Sequence, residues 1–315
     1  EVRAVADRIT VIRRGKVVGE ASPTSSSAEL ASMMVGRPVQ LTVDKAVAAP
    51  GEPVLEVDSL HVVNETGQVV VDDVSFSVRA GEIFAVAGVQ GNGQTELTEC
   101  LIGLTRPTSG RLRVNGEDVT HESIDQILSR GVGYVPEDRS HDGLVGAFTI
   151  AENLVLDIFD KEPFAKRMSL DLKAIDDNAE HRVQEFDIRT PSIRANASTL
   201  SGGNQQKLVL ARELSRPLRL LVVAQPTRGV DVGSQEFVHK RIIEERDSGA
   251  AVVLISSELD EVLGLADRIA VMYRGRIIGE VPAGTSAAEI GLLMAGSTAE
   301  SAQKSSAAPT AEEAQ

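Results

Sequence analysis

Eight consecutive residues, Gly88-Val89-Gln90-Gly91-Asn92-Gly93-Gln94-Thr95, have types and spacing suited to holding phosphate. A phosphate-cradling loop needs a glycine, four residues, a glycine, a lysine and then serine or threonine. Its backbone N–H groups turn inward as an anion nest at the positive end of a following helix. Every template position is met except the lysine, where Gln94 stands. Gln94 keeps an N–H donor but loses the positive charge, and charge-assisted hydrogen bonds are roughly twice as strong as neutral ones, so phosphate affinity falls. Thr95 offers the hydroxyl that such loops place on Mg²⁺. Gly88, Gly91, Asn92, Gly93, Gln94 and Thr95 are therefore candidate phosphate-binding residues, Thr95 also a candidate Mg²⁺ ligand. Taken alone, the run also fits an ordinary glycine turn between a strand and a helix.

A second run, Leu200-Ser201-Gly202-Gly203-Asn204-Gln205-Gln206-Lys207, is more specific. Ser201, Gly202 and Gly203 make a tight polar turn at the start of a helix through Leu208–Leu214, where backbone N–H groups and the serine hydroxyl can hold an anion. This run resembles the signature sequence of ATP-binding-cassette (ABC) ATPases. The resemblance implies that Ser201, Gly202, Gly203 and Gln205 face the γ-phosphate of ATP bound by an opposing domain. It implies ATP and Mg²⁺ as cofactors. The segment Pro226-Thr227-Arg228-Gly229-Val230-Asp231 is similar to the family's D-loop, which brings Asp231 into the nucleotide-binding set.

Set against the family's pattern, the chain departs at four positions. Lysine is replaced by Gln94, the magnesium-orienting aspartate by Ala224, the water-activating glutamate by Gln225 and the switch histidine by Ser257. Alanine offers no ligand, and an amide cannot take a proton from water as a carboxylate does. Tyr134–Arg139 resembles the Q-loop with Glu137 in place of glutamine, so Glu137 is a second candidate Mg²⁺ or water contact. Leu60–Val63 has no aromatic residue where the family stacks one on adenine. Gln225, Glu137 and Ser257 thus occupy the catalytic positions in altered form. The signature turn, by contrast, is intact. ABC domains dimerise head to tail, so the expectation is a half that completes its partner's site while its own is slow or silent.

These motifs need particular elements beneath them. Strand patterns fall at Val54–Val62, Val69–Val78, Glu82–Ala87, Val132–Val135, Leu218–Ala224, Ala251–Ile255 and Ile269–Tyr273. Helical patterns fall at Gly93–Leu104, Ser123–Arg130, Ser234–Asp247 and Glu258–Ala266, and the stretch Ile150–Thr199 reads as helical without a strand. Alternation of this kind indicates βαβ units and a mainly parallel sheet. The expected class is α/β, a P-loop NTPase with an antiparallel β region early in the domain and a helical subdomain at about 140–200 carrying the signature.

An internal repeat sets the domain plan. Residues 1–20 match 261–280 without a gap at an offset of 260, continuing more loosely through 25–36 against 285–296. Residues 1–37 are expected to be the C-terminal remnant of a first ABC domain, 38–53 a linker and 54–296 a second ABC domain, in a truncated chain. Residues 297–315 contain no Ile, Leu, Val, Met or aromatic residue and are expected to be disordered.

Composition narrows the function. The 315 residues carry 32 Lys+Arg against 46 Asp+Glu, a formal net charge of −14, whereas nucleic-acid binders are basic. One cysteine, Cys100, excludes an intrachain disulfide framework, and no apolar run approaches the length of a membrane helix. The motif set resembles the ATPase component of bacterial sugar importers and their nucleoside-importing relatives, with Ala-Gln-Pro-Thr-Arg-Gly-Val-Asp (224–231) and Ile-Ser-Ser-Glu-Leu-Asp-Glu (255–261) favouring the nucleoside branch. The resemblance implies as partners a first ABC domain or second copy, two membrane permease subunits and an extracytoplasmic substrate-binding protein, with no nucleic acid. It implies a peripheral location at the cytoplasmic face of the bacterial cell membrane. Permease contact is expected near 141–164, including Asp142, Leu144 and Phe148. The competing readings are an ABC-type ATPase acting on nucleic acid or ribosomes, and a non-hydrolysing interaction module.

Overall fold

The gapless repeat in the sequence is also a repeat of structure. The computed structural model describes residues 2–13, 15–38, 45–166 and 169–297. After one helical turn, α1 (Val2–Val5), the N-terminal unit is a hairpin of β1 (Ile9–Arg13) and β2 (Lys16–Ala21) followed by α2 (Ser27–Val35). At an offset of 260 residues stands a hairpin of Arg268–Tyr273 and Arg276–Pro282, then a helix over Ala287–Met294. Arg8 pairs with Glu20 at 2.8 Å, as Arg268 pairs with Glu280 at 2.9 Å. The strand register shifts between Val11 and Ile12 in one hairpin and between Val271 and Met272 in the other. Ser26 and Ser286 cap the two helices from equivalent positions. The units differ in their neighbours: β1 pairs with β2 alone among the described residues, whereas Arg268–Tyr273 also joins the central sheet. The N-terminal unit rests on the helix over Val232–Asp247, where Arg37 pairs with Glu236 at 2.8 Å.

The main body begins with the antiparallel pair β3 (Pro53–Val63) and β4 (Val69–Arg79). Strand β5 (Ile83–Ala87) runs through the glycine loop into α3 (Gln94–Leu101). β6 (Ser109–Val114) and β7 (Glu117–Asp118) then return to the free edge of β3, completing a four-stranded antiparallel sheet. After α4 (Ile124–Ser129) and β8 (Val132–Val135) come a π-helical turn at Arg139–Gly143, α5 (Ile150–Leu154), the hairpin β9 (Ala165–Lys166) and β10 (Ser169–Leu170), and α6 (Leu172–Glu185). The chain closes with α7 (Gly202–Glu213), β11 (Leu220–Ala224), α8 (Val232–Asp247), β12 (Ala251–Ser256), α9 (Leu259–Leu265), β13 (Arg268–Tyr273), β14 (Arg276–Pro282) and α10 (Ala287–Met294). The six-stranded sheet has the order β14-β13-β5-β12-β11-β8, parallel except for β14.

The all-apolar runs are strands buried on both faces, as a parallel sheet between two layers requires. Ile83, Ala85 and Ala87 of β5 enter a core shared with α5 to α10, while Phe84 and Val86 enter one shared with the antiparallel sheet and α3. Leu221 and Val223 against Leu220, Val222 and Ala224 repeat that division in β11.

Several expected boundaries move. The helix expected through Leu104 ends at Leu101, and Gly103, with φ of 78°, carries a left-handed turn that an ordinary residue adopts only with strain. Ile150, Leu154 and Ile158 have helical spacing, yet α5 stops at Leu154, and bonds from Ile158 N to Val155 O and from Lys161 N to Ile158 O turn the chain back. Within Ile150–Thr199, read as strand-free, β9 and β10 form a hairpin of two residues a side, too short to leave an alternating pattern. β6, β7 and β14 were also not expected. Of the linker 38–53, residues 39–44 lie outside the described residues, as does the tail beyond Ser297. Lys45 is tied down, its ammonium donating to Leu265 O, Ala266 O and Asp267 Oδ1 at 2.6–2.8 Å. No helix among the described residues is long and apolar enough to cross a membrane.

Candidate functional site

Strand order brings the scattered motifs together. β5, β12, β11 and β8 are neighbours and parallel, so their C-terminal ends open on one edge of the sheet. Ligands of open α/β sheets bind at that edge. β5 delivers the glycine loop there, β12 delivers Ser257, β11 delivers Ala224 and Gln225, and β8 delivers Glu137. A cavity of about 280 Å³ opens among Gln94, Thr95, Glu137, Ala224, Gln225 and Arg228, with Tyr134, Glu99, Asp138 and Asp142 on its wall.

The glycine loop fits an anion. Gly91 and Gly93 have φ of 89° and 98°, and a Cβ on Gly93 would stand 2.2 Å from Val70 O. A Cβ on Gly88 would stand 2.7 Å from Gln94 Nε2, so glycine there leaves the side chain of Gln94 its place against the loop. Gln94 is 5% exposed, and its Nε2 is a buried donor with no hydrogen-bond partner among the described residues. Buried donors without acceptors are costly, and one placed in a phosphate loop at a helix N-terminus suits a ligand oxygen. Thr95 is exposed beside it. Asn92 has a loop-holding task instead: its Nδ2 donates to Val89 O at 2.9 Å and its Oδ1 accepts from Arg274 N at 2.8 Å.

Gln225 and Ser257 meet directly. Gln225 Oε1 accepts from Ser257 N and Ser257 Oγ, each at 3.2 Å. Gln225 holds a left-handed φ of 46°, fixed by its N–H donating to Ile255 O at 2.8 Å. Its carbonyl-type acceptor is thus engaged, and neither partner offers a base. Behind them lies a buried carboxylate, Glu261, accepting from Thr227 Oγ1 and Ser256 Oγ at 2.7 Å and lying 3.0 Å from His239 Nε2.

Glu137 is paired. Its Oε1 accepts from Gln90 Nε2 at 2.9 Å and from Arg228 Nη1. Arg139 holds the same loop from behind, Nη1 donating to Arg228 O at 2.8 Å. Arg228 also lines the cavity; nothing in its local sequence marks it, because it meets Glu137 only through the adjacency of β11 and β8. Nearby, the backbone N–H groups of His141 and Ser140 hold the Asp138 carboxyl below its ordinary range, and a hydrogen bond to the Asp142 carboxylate raises His141. Burial raises the Tyr134 phenol. Burial, with Glu99 and Glu96 adding, pushes the Cys100 thiol up to about 12.

The signature turn lies apart from this cavity. Ser201 is the N-cap residue of α7, which starts at Gly202, so both glycines lie in the first helical turn rather than before it. Ser201 Oγ is exposed and accepts from Asn204 Nδ2 at 2.9 Å; Gln205 Nε2 donates to Ala197 O at 3.3 Å. Asp231 caps α8, its Oδ1 accepting from Ser234 N and its Oδ2 from Ser234 Oγ. It lies against the signature, since a Cβ on Gly203 would come within 2.7 Å of Asp231 Oδ2. Two grooves run from Ile124 and Leu128 past Asp157, one lined by Asp142 and Leu144, and Phe148 is 43% exposed.

Comparison with known proteins follows the same lines. A family profile described as ABC transporter matches residues 71–228. The nucleoside import ATP-binding protein NupA of Lactococcus lactis is 48% identical over 298 residues, 94% of this chain and 59% of the relative. The guanosine import ATP-binding protein NupO of Bacillus subtilis is 46% identical over 302 residues, 95% of this chain and 59% of that one. The ribose import ATP-binding protein RbsA 1 of Rubrobacter xylanophilus is 40% identical over 301 residues, with 95% and 59% covered. This chain therefore spans less than two thirds of these relatives. In fold it is similar to the crystal structure of a nucleotide-free ATP-binding cassette from an ABC transporter, with a TM-score of 0.63 at 21% identity, covering 78% of this chain and 96% of that one.

Proposed function

The chain belongs to the ABC transporter family and has the α/β P-loop NTPase fold of its ATPases, and from that premise we propose that it is the ATP-binding part of a bacterial importer taking up nucleosides or sugars. Nucleosides are favoured, because the relatives at 48% and 46% identity are described as nucleoside and guanosine import proteins. The observation that carries nucleotide binding is Gln94 Nε2, a buried donor inside a glycine loop without an acceptor among the described residues.

In this reading residues 54–296 are the second of two ABC domains, residues 1–37 the end of the first, and 38–53 the linker. The matching hairpin–helix units support it. The partners are the first domain or a second copy of the chain, two membrane permease subunits and an extracytoplasmic binding protein, at the cytoplasmic face of the membrane. The grooves beside Asp142 and Leu144 are where a permease would dock.

Each side chain then has a stated task. The loop N–H groups and Gln94 hold phosphate oxygens. Thr95 and Glu137 both line the cavity, a thin oxygen set that suits Mg²⁺ arriving on a polyphosphate rather than held by protein alone. Bound there, Mg²⁺ would neutralise charge on the phosphates. Gln225 and Ser257 position water without deprotonating it, since neither is a base at neutral pH. This half's own site is therefore slow or silent, and Ser201, Gly202 and Gly203 serve the nucleotide of the opposing domain.

The test is Mg·ATP turnover and fluorescent-ATP binding of the chain over a protein-concentration series, beside Q94K/A224D/Q225E/S257H. The expected result is nucleotide binding with little turnover in the parent and faster turnover in the quadruple variant. Parent turnover that climbs with concentration, or a quadruple variant no faster than the parent, overturns the degenerate site. Binding of neither ATP nor ADP would favour the interaction module.

A further inference from the structure

We propose that Arg228 is the phosphate-recognising cation of this cavity, and that Glu137 is the counter-ion a phosphate displaces from it. The inference rests on the nucleotide-site reading above and adds the group that supplies charge where the loop lysine is missing.

Among the described residues, the wall of the cavity carries four acidic residues, Glu99, Glu137, Asp138 and Asp142, and one basic one, Arg228. Gln94, in the lysine position, is neutral. A polyphosphate entering here meets an excess of carboxylates and one guanidinium from that wall. Electrostatic complementarity therefore has to come from Arg228 or from an added metal ion.

The loop is built to present that side chain. Its backbone is fixed twice, by Arg228 N donating to Gln225 O at 3.1 Å and by Arg139 Nη1 donating to Arg228 O at 2.8 Å. Its side chain is 57% exposed and, among the described residues, its ion pair is with Glu137, which is 22% exposed. With the guanidinium open to water, the pair is partly screened and can be exchanged. Glu137 Oε1, the same oxygen, also accepts from Gln90 of the glycine loop. The pair is thus at the junction between the phosphate loop and the segment after β11; Glu137 takes the Nη1 donor of Arg228, whereas a phosphate can accept from two arms of the guanidinium fork at once. Transfer of Arg228 from carboxylate to phosphate leaves Glu137 free to face the metal side of the ligand.

The probe is a fluorescent ATP analogue titrated into the full chain, with EDTA and separately with Mg²⁺, with adenosine as the phosphate-free competitor. R228Q is expected to weaken the analogue at least about tenfold, the scale of a charge-assisted bond, while leaving adenosine competition unchanged. R228K should recover part of the loss. E137Q, which removes the competing carboxylate, should tighten binding severalfold in EDTA, and should gain clearly less when introduced into R228Q, where only charge repulsion and no competition is relieved. If the parent binds the analogue and R228Q binds it equally well, or E137Q tightens binding just as much without Arg228, this inference fails and the nucleotide site stands. A shift of adenosine together with the analogue would make Arg228 a merely structural residue and would also overturn it. If parent and Q94K both fail to bind, the nucleotide reading falls and takes this inference with it.

Discussion

Glu261 offers a sharp test of how the site is held. Its side chain is 3% exposed and serves three elements at once: Thr227 after β11, Ser256 at the end of β12 and His239 of α8. Ser256 is fully buried and Thr227 is 6% exposed, so removing the carboxylate leaves both hydroxyl donors without their acceptor, although Ser256 Oγ still accepts from Glu258 N at 3.1 Å. Each buried unsatisfied polar group costs about 1–3 kcal/mol. Glu261→Ala should therefore lose roughly 2–6 kcal/mol. Glu261→Gln retains the volume and one acceptor, and its amide can donate to a hydroxyl oxygen, so its loss should be about 1–2 kcal/mol. With no tryptophan in the chain, the assay is urea unfolding followed by far-UV circular dichroism, comparing midpoints at unchanged m. An Ala variant within about 1 kcal/mol of the parent, or Gln and Ala variants of equal stability, would refute the reasoning.

Two further outcomes follow from local chemistry. Thr149 closes a capping box at α5, its Oγ1 accepting from Glu152 N at 3.2 Å while Glu152 Oε2 accepts from Thr149 N at 2.7 Å; Thr149→Ala should cost about 1 kcal/mol, read as a lower melting temperature. Backbone and side-chain donation from Thr149 hold the Glu152 carboxyl below its ordinary range, and alanine keeps the backbone donor but removes Thr149 Oγ1, which donates to Glu152 Oε2 at 2.7 Å. That part of the cap is full above the free carboxyl's pKa and is lost as pH falls through the lowered one, so the parent–variant difference should shrink in acid without vanishing. The Cys100 thiol, pushed to about 12 by burial, should resist alkylation at pH 8.5 in native protein and react promptly in urea, and fast native labelling would contradict its placement in the core beneath α3.

Much was legible in the residues themselves. The glycine loop and the run resembling the signature are contiguous, so the residues of the candidate site are found at fixed spacing, and the short apolar strands are recognisable because a sheet covered on both faces leaves no polar position. The repeat was also visible, down to residues that form equivalent ion pairs. Short elements were not. β9 and β10 have two residues each, and α5 ends where turn bonds, not side-chain periodicity, redirect the chain.

The sequence by itself determined the inventory: a glycine loop with glutamine for lysine, an intact signature, and Ala224, Gln225, Ser257 and Glu137 at altered positions. Only the tertiary structure decided who meets whom. Contacts such as Gln225 with Ser257, 32 residues apart, and Arg228 with Glu137, 91 apart, exist because β5, β12, β11 and β8 lie side by side in an order that does not follow the chain. Strand order comes from burying both faces of the whole sheet at once, a collective packing solution that no local pattern encodes.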